Sequence, residues 1–204
     1  MKEKILTEAE RLFWKYGVRS ITMDDIARRL GISKKTIYQH FTDKEDIVFQ
    51  VTQYHVARDR DKMACMAVSA ADPIEEMLQM SELMRQTVDQ INPALFMDVQ
   101  RYYPKAWEVW LAYKEEHVVT AITDNLRRGM AQGLYRDDID AETMARLRIE
   151  LVQLGFNADV FPNGRMDLLK IQDQLLHHFI RGILTEQGFA TYHASNKRIQ
   201  RQLL

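Results

Sequence analysis

The feature that most limits the possible folds of this chain is the run Ile21–Ile47, in which two short helical patterns are joined by a tight turn. Thr22 is a predicted N-cap, and Asp25 stands three residues later, as in a capping box. Gly31 ends the first helical pattern, at a position where a left-handed residue is favoured. Ser33 is predicted to cap the second helix. Two short helices joined by a turn that contains glycine are typical of a helix-turn-helix.

The second helix of this run carries hydrogen-bonding side chains between two apolar anchors, Ile37 and Phe41. Hydroxyl and amide groups can read base edges in a major groove, and lysines can neutralise phosphates. Asp43 is predicted to cap the next helix, and a basic Lys44 in its first turn is unfavourable unless an anion docks there. An ordinary helical hairpin with a solvated face is the alternative, and the caps, turn glycine and paired anchors argue against it. The predicted DNA-binding residues are Thr22, Ser33, Lys34, Lys35, Thr36, Tyr38, Gln39, His40 and Lys44.

This run resembles the DNA-binding region of the TetR family of transcriptional regulators, most specifically in a Thr-Ile-Tyr-x-x-Phe core followed by Asp-Lys-Glu. The resemblance extends from about Ile5 to Phe49. It implies an all-helical homodimer that binds an inverted-repeat operator in double-stranded DNA and releases it when a small molecule enters the C-terminal domain. Lys35 departs from the small residue often found at its position. By position, the resemblance implies DNA contacts by Thr36, Tyr38, His40 and Lys44.

Charge is distributed unevenly along the 204 residues, although the formal net charge is only −1. Residues 1–49 carry 10 Lys and Arg against 8 Asp and Glu, whereas residues 50–204 carry 18 against 21. This division fits a local DNA-binding surface on an otherwise acidic protein. Cys65 is the only cysteine, which excludes an internal disulfide and a Cys-based zinc site. No apolar run is long enough for a membrane span and the start has no secretory core, so a cytoplasmic location is expected.

Helix signals recur along the whole chain, and no strand-like alternation interrupts them. The predicted fold is therefore all-α, with a three-helix helix-turn-helix DNA-binding domain at residues 1–49 and a larger helical effector-binding and dimerisation domain at residues 50–204. A polar tail is expected to fray after the last helix. The predicted helices cover residues 2–16, 43–66, 73–90, 94–102, 104–131, 141–158 and 166–187, with a loop at residues 159–165.

The last two long helices carry apolar residues at helical spacing and are the best candidates for a homodimer interface. Two antiparallel helices can pair with a symmetry copy as a four-helix bundle, and a helix-turn-helix dimer needs such a fixed pairing to match its half-sites. The alternative is that both stripes face the core of their own subunit. The predicted dimerisation residues are Leu147, Leu151, Leu154, Gly155, Leu175, Phe179, Gly182 and Ile183.

Methionine and aromatic residues concentrate in the middle of the chain, a composition that suits a pocket for a flat or hydrophobic small-molecule effector. The alternative is that these side chains form ordinary core. The predicted ligand-binding residues are Met66, Met80, Met84, Phe96, Tyr103, Trp107, Trp110 and Tyr113.

Enzymatic motifs are missing from the sequence, since no nucleophile elbow, Gly-rich phosphate loop or metal-binding pattern is present. His177 and His178 point in different directions on one helix and are poor joint ligands, so no metal or cofactor is expected. The sequence predicts a ligand-responsive regulator, most simply a repressor. Two alternatives stay open: an activator with the same DNA-binding region, and an enzyme or small-molecule carrier that uses the C-terminal helices.

Overall fold

A computed structural model describes residues 1–88, 92, 94–157, 159–162 and 167–202. Within these residues the chain is helical, and the one β-type contact is an isolated antiparallel bridge between Tyr135 and Leu184. The all-α prediction is confirmed. The helices are α1 Lys2–Tyr16, α2 Met23–Leu30, α3 Lys34–Tyr38, α4 Lys44–Ser69, α5 Pro73–Val88, α6 Leu95–Tyr102, α7 Pro104–Tyr113, α8 Thr120–Ala131, α9 Ala141–Gly155, α10 Leu168–Ile183 and α11 Glu186–Gln202, with a π-helical segment, Lys114–Val119, before α8.

The chain forms two compact units. Unit 1 consists of Met1–Asp61 and Gln90–Lys114, and unit 2 of Lys62–Asp89 and Glu115–Leu204. None of the described helices is both long and apolar enough to cross a membrane.

Unit 1 has one apolar core, to which α1 contributes the inner face of its amphipathic pattern. Ile5 and Phe13 are buried there, whereas Tyr16, the last residue of α1, is 47% exposed. Leu95 of α6 and Ala106 of α7 belong to the same core. Helices α6 and α7 therefore belong with the N-terminal helices in one unit. A functional boundary between residues 49 and 50 stays a prediction.

Unit 2 has its own core, formed by α5 and α8–α11. Asp72 caps the start of α5, because its Oδ1 accepts hydrogen bonds at 2.9 Å from the backbone N–H groups of Ile74 and Glu75. Asp140 likewise begins α9, accepting a bond at 2.7 Å from the N–H of Thr143.

The C-terminal part of the chain differs from the prediction, because α10 ends at Ile183 and a further helix, α11, begins at Glu186. The Thr185 N–H donates to the carbonyl oxygen of Leu134 at 3.1 Å, which draws the chain out of the helix. The prediction of a frayed tail was wrong for α11, since Tyr192 is only 1% exposed. Residues 89–91 and 93 and the predicted loop residues 163–165 lie outside the described residues.

Candidate nucleic-acid interface

Helices α2 and α3 are capped as the sequence predicts. The Thr22 Oγ1 accepts a hydrogen bond at 3.2 Å from the Asp25 N–H, and the Asp25 carboxylate accepts one at 2.9 Å from the Thr22 N–H. Gly31 follows α2 with φ 65° and ψ 30°, the left-handed conformation that favours glycine. Ser33 Oγ accepts a bond at 3.1 Å from the N–H of Thr36 and begins α3. Two helices and a turn that contains glycine therefore form the helix-turn-helix.

Helix α3 has a buried face and an exposed face. Ile37 and Phe41, the predicted anchors, are 0% and 2% exposed. Tyr38, which lies between them in the sequence, is 47% exposed. The anchors therefore orient a row of polar side chains away from the core of unit 1, and the other exposed members of this row are Lys34, Lys35, Gln39 and His40.

Lys34 and Thr36 each have a partner within the helix-turn-helix. The Nζ of Lys34 lies 2.8 Å from the Asp24 carboxylate, and this hydrogen bond raises the pKa of Lys34. Both side chains are exposed, and exposed ion pairs are weak enough to exchange partners. The Thr36 hydroxyl lies 2.8 Å from that of Ser33 and is half-buried. Lys34 therefore keeps its charge, while Thr36 also serves to hold the start of α3.

Lys44 lies at the first residue of α4 and is half-buried. Burial lowers the pKa of its ammonium group, although Asp98 acts in the opposite direction. Its Nζ lies 3.4 Å from the carbonyl oxygen of Arg19, so a backbone group 25 residues earlier in the chain positions it. The Arg19 guanidinium in turn stacks over the Tyr102 ring at 4.6 Å. Sequence reasoning missed Arg19, because nothing local in the sequence places it beside Lys44.

The predicted ligand-binding residues fall in both units. Phe96, Trp110 and Tyr113 form an aromatic cluster in unit 1, with ring centroids 5.5 and 5.8 Å apart for successive pairs. Tyr103 packs against the core of unit 1, where burial raises its pKa, and Trp107 is half-buried in the same unit. Met66 and Met80 are half-buried residues of unit 2. The side chain of Met84 lies outside the described residues.

The predicted dimerisation residues divide between exposed and buried positions. Phe179 and Ile183 are 4% and 3% exposed in the single chain and belong to the core of unit 2, so the assignment of these two residues to a partner surface is corrected. Gly155 is also buried, where a Cβ atom would meet the Gln172 Nε2 at 2.2 Å. Leu151, Leu154 and Leu175 are half-buried, and Leu147 and Gly182 are exposed. The dimer itself stays a prediction.

Comparisons with known proteins agree with the helix-turn-helix. Residues 5–51 match the family described as bacterial regulatory proteins, tetR family. Among curated proteins, the HTH-type transcriptional regulators YvaF and YerO of Bacillus subtilis are similar to this chain. YvaF is 29% identical over 58% of this chain and 63% of its own length, and YerO is 28% identical over 82% of this chain and 58% of its own length. The chain thus matches less than two thirds of either relative.

Solved structures share the fold over most of the chain. A TetR-family regulator from Agrobacterium tumefaciens superposes with a TM-score of 0.77 at 18% identity, over 90% of this chain and 97% of its own. A transcriptional regulator from Saccharomonospora viridis has a TM-score of 0.75 at 22% identity, over 91% and 98% of the two chains. The chain thus shares its helix-turn-helix with the tetR family and its all-α fold with these solved structures. Residues 5–51 form a DNA-binding domain of the TetR family.

Proposed function

We propose that this protein is a homodimeric transcriptional repressor that binds an inverted-repeat operator and leaves it when a small hydrophobic or aromatic effector binds. The observation that carries the proposal is the exposed polar face of α3, supported from below by Ile37 and Phe41. A short helix held on two apolar anchors can enter a major groove without losing its own packing. Tyr38, Gln39 and His40 then read base edges, and Lys34, Lys35 and Lys44 contact phosphates.

Repression is favoured over activation by one relative. An HTH-type transcriptional repressor from Mycobacterium tuberculosis is 24% identical over 77% of this chain and 80% of its own length. A reporter gene placed behind the protein's own upstream region separates the two roles. Deleting the regulator raises reporter expression if it represses and lowers expression if it activates.

Response to an effector is proposed as a two-state equilibrium. The effector binds better to a dimer whose two α3 helices are wrongly spaced for the operator, and this differential affinity shifts the population away from DNA. A coupling of about 1–3 kcal/mol gives roughly 5- to 150-fold derepression. The choline complex of the Saccharomonospora viridis regulator shows a small molecule bound to a protein of this fold. Met66 and Met80, the predicted ligand-binding residues of unit 2, are half-buried and offer adaptable apolar area for such a molecule.

The DNA-binding role of α3 is tested by Tyr38→Ala. This variant is expected to lose sequence-specific binding while the oligomeric state and thermal stability are unchanged, because the Tyr38 side chain lies outside the core. Tyr16→Ala is the matched control, since Tyr16 is also 47% exposed but lies at the end of α1. Fluorescence anisotropy on operator DNA measures both variants. Normal operator affinity in Tyr38→Ala would refute the assignment of α3 as the reading helix.

A further inference from the structure

Arg148 is a buried cation in the interior of unit 2. It lies in α9, and only 5% of the residue is exposed. One nitrogen, Nη2, donates a hydrogen bond at 3.1 Å to the hydroxyl of Ser81 on α5. The other, Nη1, is buried and has no hydrogen-bond partner within the described part of the chain. Arginine is almost never buried without a partner, so this side chain requires an explanation.

No described carboxylate neutralises the Arg148 charge. Burial alone lowers the pKa of its guanidinium to about 10, so the group remains protonated at neutral pH. The buried carboxylate of Glu76, in contrast, has the guanidinium of Arg128 at 2.5 Å and the amide of Asn125 at 2.9 Å. Glu76 is thus a buried anion with a cationic partner, whereas the buried cation Arg148 has no carboxylate partner among the described residues. A buried charge is unfavourable unless an opposite charge reaches it.

A second unpartnered polar atom belongs to Gln172 of α10, whose side chain contacts α9. The Oε1 of Gln172 is buried without a partner, while its Nε2 donates to the carbonyl oxygen of Val152 at 2.9 Å. Val152 and Gly155 follow Arg148 by four and seven residues, which places all three on one side of the helix. The residues of α9 next to Gln172 therefore lie about 6 to 10 Å from Arg148 along the helix axis. This region of unit 2 is short of both an anion and a hydrogen-bond donor.

Apolar residues lie near Arg148 along α9 and next to its partner Ser81 on α5. Ile149 and Ala145 of α9 are buried in the core of unit 2, and Leu151 and Met80 pack against it. The Ser81 hydroxyl donates to the carbonyl oxygen of Met77 at 2.9 Å, which leaves its lone pairs for the guanidinium. An inorganic anion would complement only the guanidinium, whereas an organic acid with an apolar body would complement both the guanidinium and these apolar side chains.

We propose that Arg148 is a binding residue for the carboxylate group of an organic-acid effector in unit 2. The guanidinium donates from Nη1 to the carboxylate, and the apolar part of the acid packs against the neighbouring side chains of α5 and α9. This inference rests on the proposed function, because it assigns a chemical class to the effector that releases the protein from DNA.

The test is a thermal-shift titration of the full chain at neutral pH. The probes are the sodium salts of octanoate, decanoate, benzoate and phenylacetate, each paired with its own primary amide. At least one carboxylate is expected to raise the Tm while its uncharged amide does not. Arg148→Met is expected to lower the affinity for that carboxylate by about 10- to 100-fold, because the loss of one charge-assisted hydrogen bond changes affinity by this amount. Arg148→Lys keeps the charge, so the carboxylate is expected to raise the Tm of this variant by a smaller amount.

Arg146→Met is the matched control, since Arg146 lies on the same helix but is exposed and paired with Glu115 and Glu142. It is expected to leave the carboxylate shift unchanged. Without ligand, Arg148→Met is expected to melt no lower than the natural chain, because it removes an unpaired buried charge. The proposal is overturned if no carboxylate shifts the Tm, if amides act equally, if Arg148→Met keeps the shift, or if that variant fails to fold.

The same variants separate this inference from the proposed function. Operator affinity of ligand-free Arg148→Met is expected to equal that of the natural chain, because Arg148 belongs to unit 2 and the reading helix to unit 1. A carboxylate shift without any sequence-specific DNA binding would refute the regulatory proposal and leave the carboxylate site intact. Sequence-specific DNA binding without a carboxylate-induced Tm shift would refute the carboxylate site and leave the regulatory proposal intact.

Discussion

His55 is expected to make the stability of unit 1 depend on pH. It lies on α4, where its Nδ1 is 2.9 Å from the Glu10 carboxylate on α1 and its Nε2 is 3.2 Å from the Asp59 carboxylate. Arg58 also donates to Glu10, at 2.8 Å, and the Trp14 ring meets the imidazole edge-on at 4.9 Å. A protonated His55 therefore donates to a carboxylate on each side and ties α1 to α4.

Burial opposes the charged form of His55, but the hydrogen bonds to Asp59 and Glu10 outweigh it and raise the pKa from 6.5 to about 9. Because the folded pKa lies above the unfolded one, the protonated imidazole stabilises the fold fully below pH 6.5. This contribution is lost as the pH rises through about 9. The difference between the two pKa values corresponds to about 3 kcal/mol of unfolding free energy.

Urea unfolding followed by tryptophan fluorescence measures this loss, at pH values of about 6, 8 and 10. All three tryptophans, Trp14, Trp107 and Trp110, lie in unit 1, so the signal reports on the unit that contains His55. His55→Gln is the control, since glutamine hydrogen-bonds but does not titrate. Between the lowest and highest pH, the natural chain is expected to lose about 3 kcal/mol more than the variant.

Parallel pH profiles for the natural chain and His55→Gln would refute this reasoning. Such a result would mean that other groups, among them the lysines and tyrosines, account for all of the pH dependence, and that Glu10 and Asp59 do not hold a proton on His55.

Three further predictions concern the turn, the phosphate contact and the dimer. Gly31→Ala is expected to lower the unfolding free energy by about 1 kcal/mol, because alanine disfavours the left-handed conformation and gains no contact there. An unchanged melting temperature would contradict this. Lys44→Ala is expected to reduce the slope of log DNA affinity against log salt concentration by about one. An unchanged slope would mean that Lys44 does not contact a phosphate. Gly182→Arg is expected to split the dimer without unfolding the chain, since no atom lies within 4 Å of a Cβ there; a dimer that persists in light scattering would exclude Gly182 from the interface.

The local features of the DNA-binding region could be predicted because each depends on residues close in sequence. Thr22 and Asp25 are three positions apart, and Ser33 and Thr36 likewise, so a cap is visible without any tertiary structure. The left-handed turn at Gly31 depends on a single residue.

Long-range packing could not be predicted in the same way. The apolar stripe of α10 looks the same whether it meets a partner or its own subunit, and only the folded chain shows Phe179 and Ile183 in the core of unit 2. The polar composition of α11 suggests a solvated tail, yet one aromatic side chain, Tyr192, is buried. In the sequence Arg148 looks like an exposed helical residue, and only the folded chain shows it buried with its partner Ser81 on α5.

The most direct test of the DNA-binding role is fluorescence anisotropy of the purified protein on DNA from its own upstream region, titrated with salt and with unlabelled random competitor. We expect tight binding that survives the competitor, with two chains on each inverted repeat. If the binding is weak, steeply salt-dependent and indifferent to sequence, and a selection from random DNA also returns no preferred site, the assignment of α3 as a sequence-reading helix is contradicted.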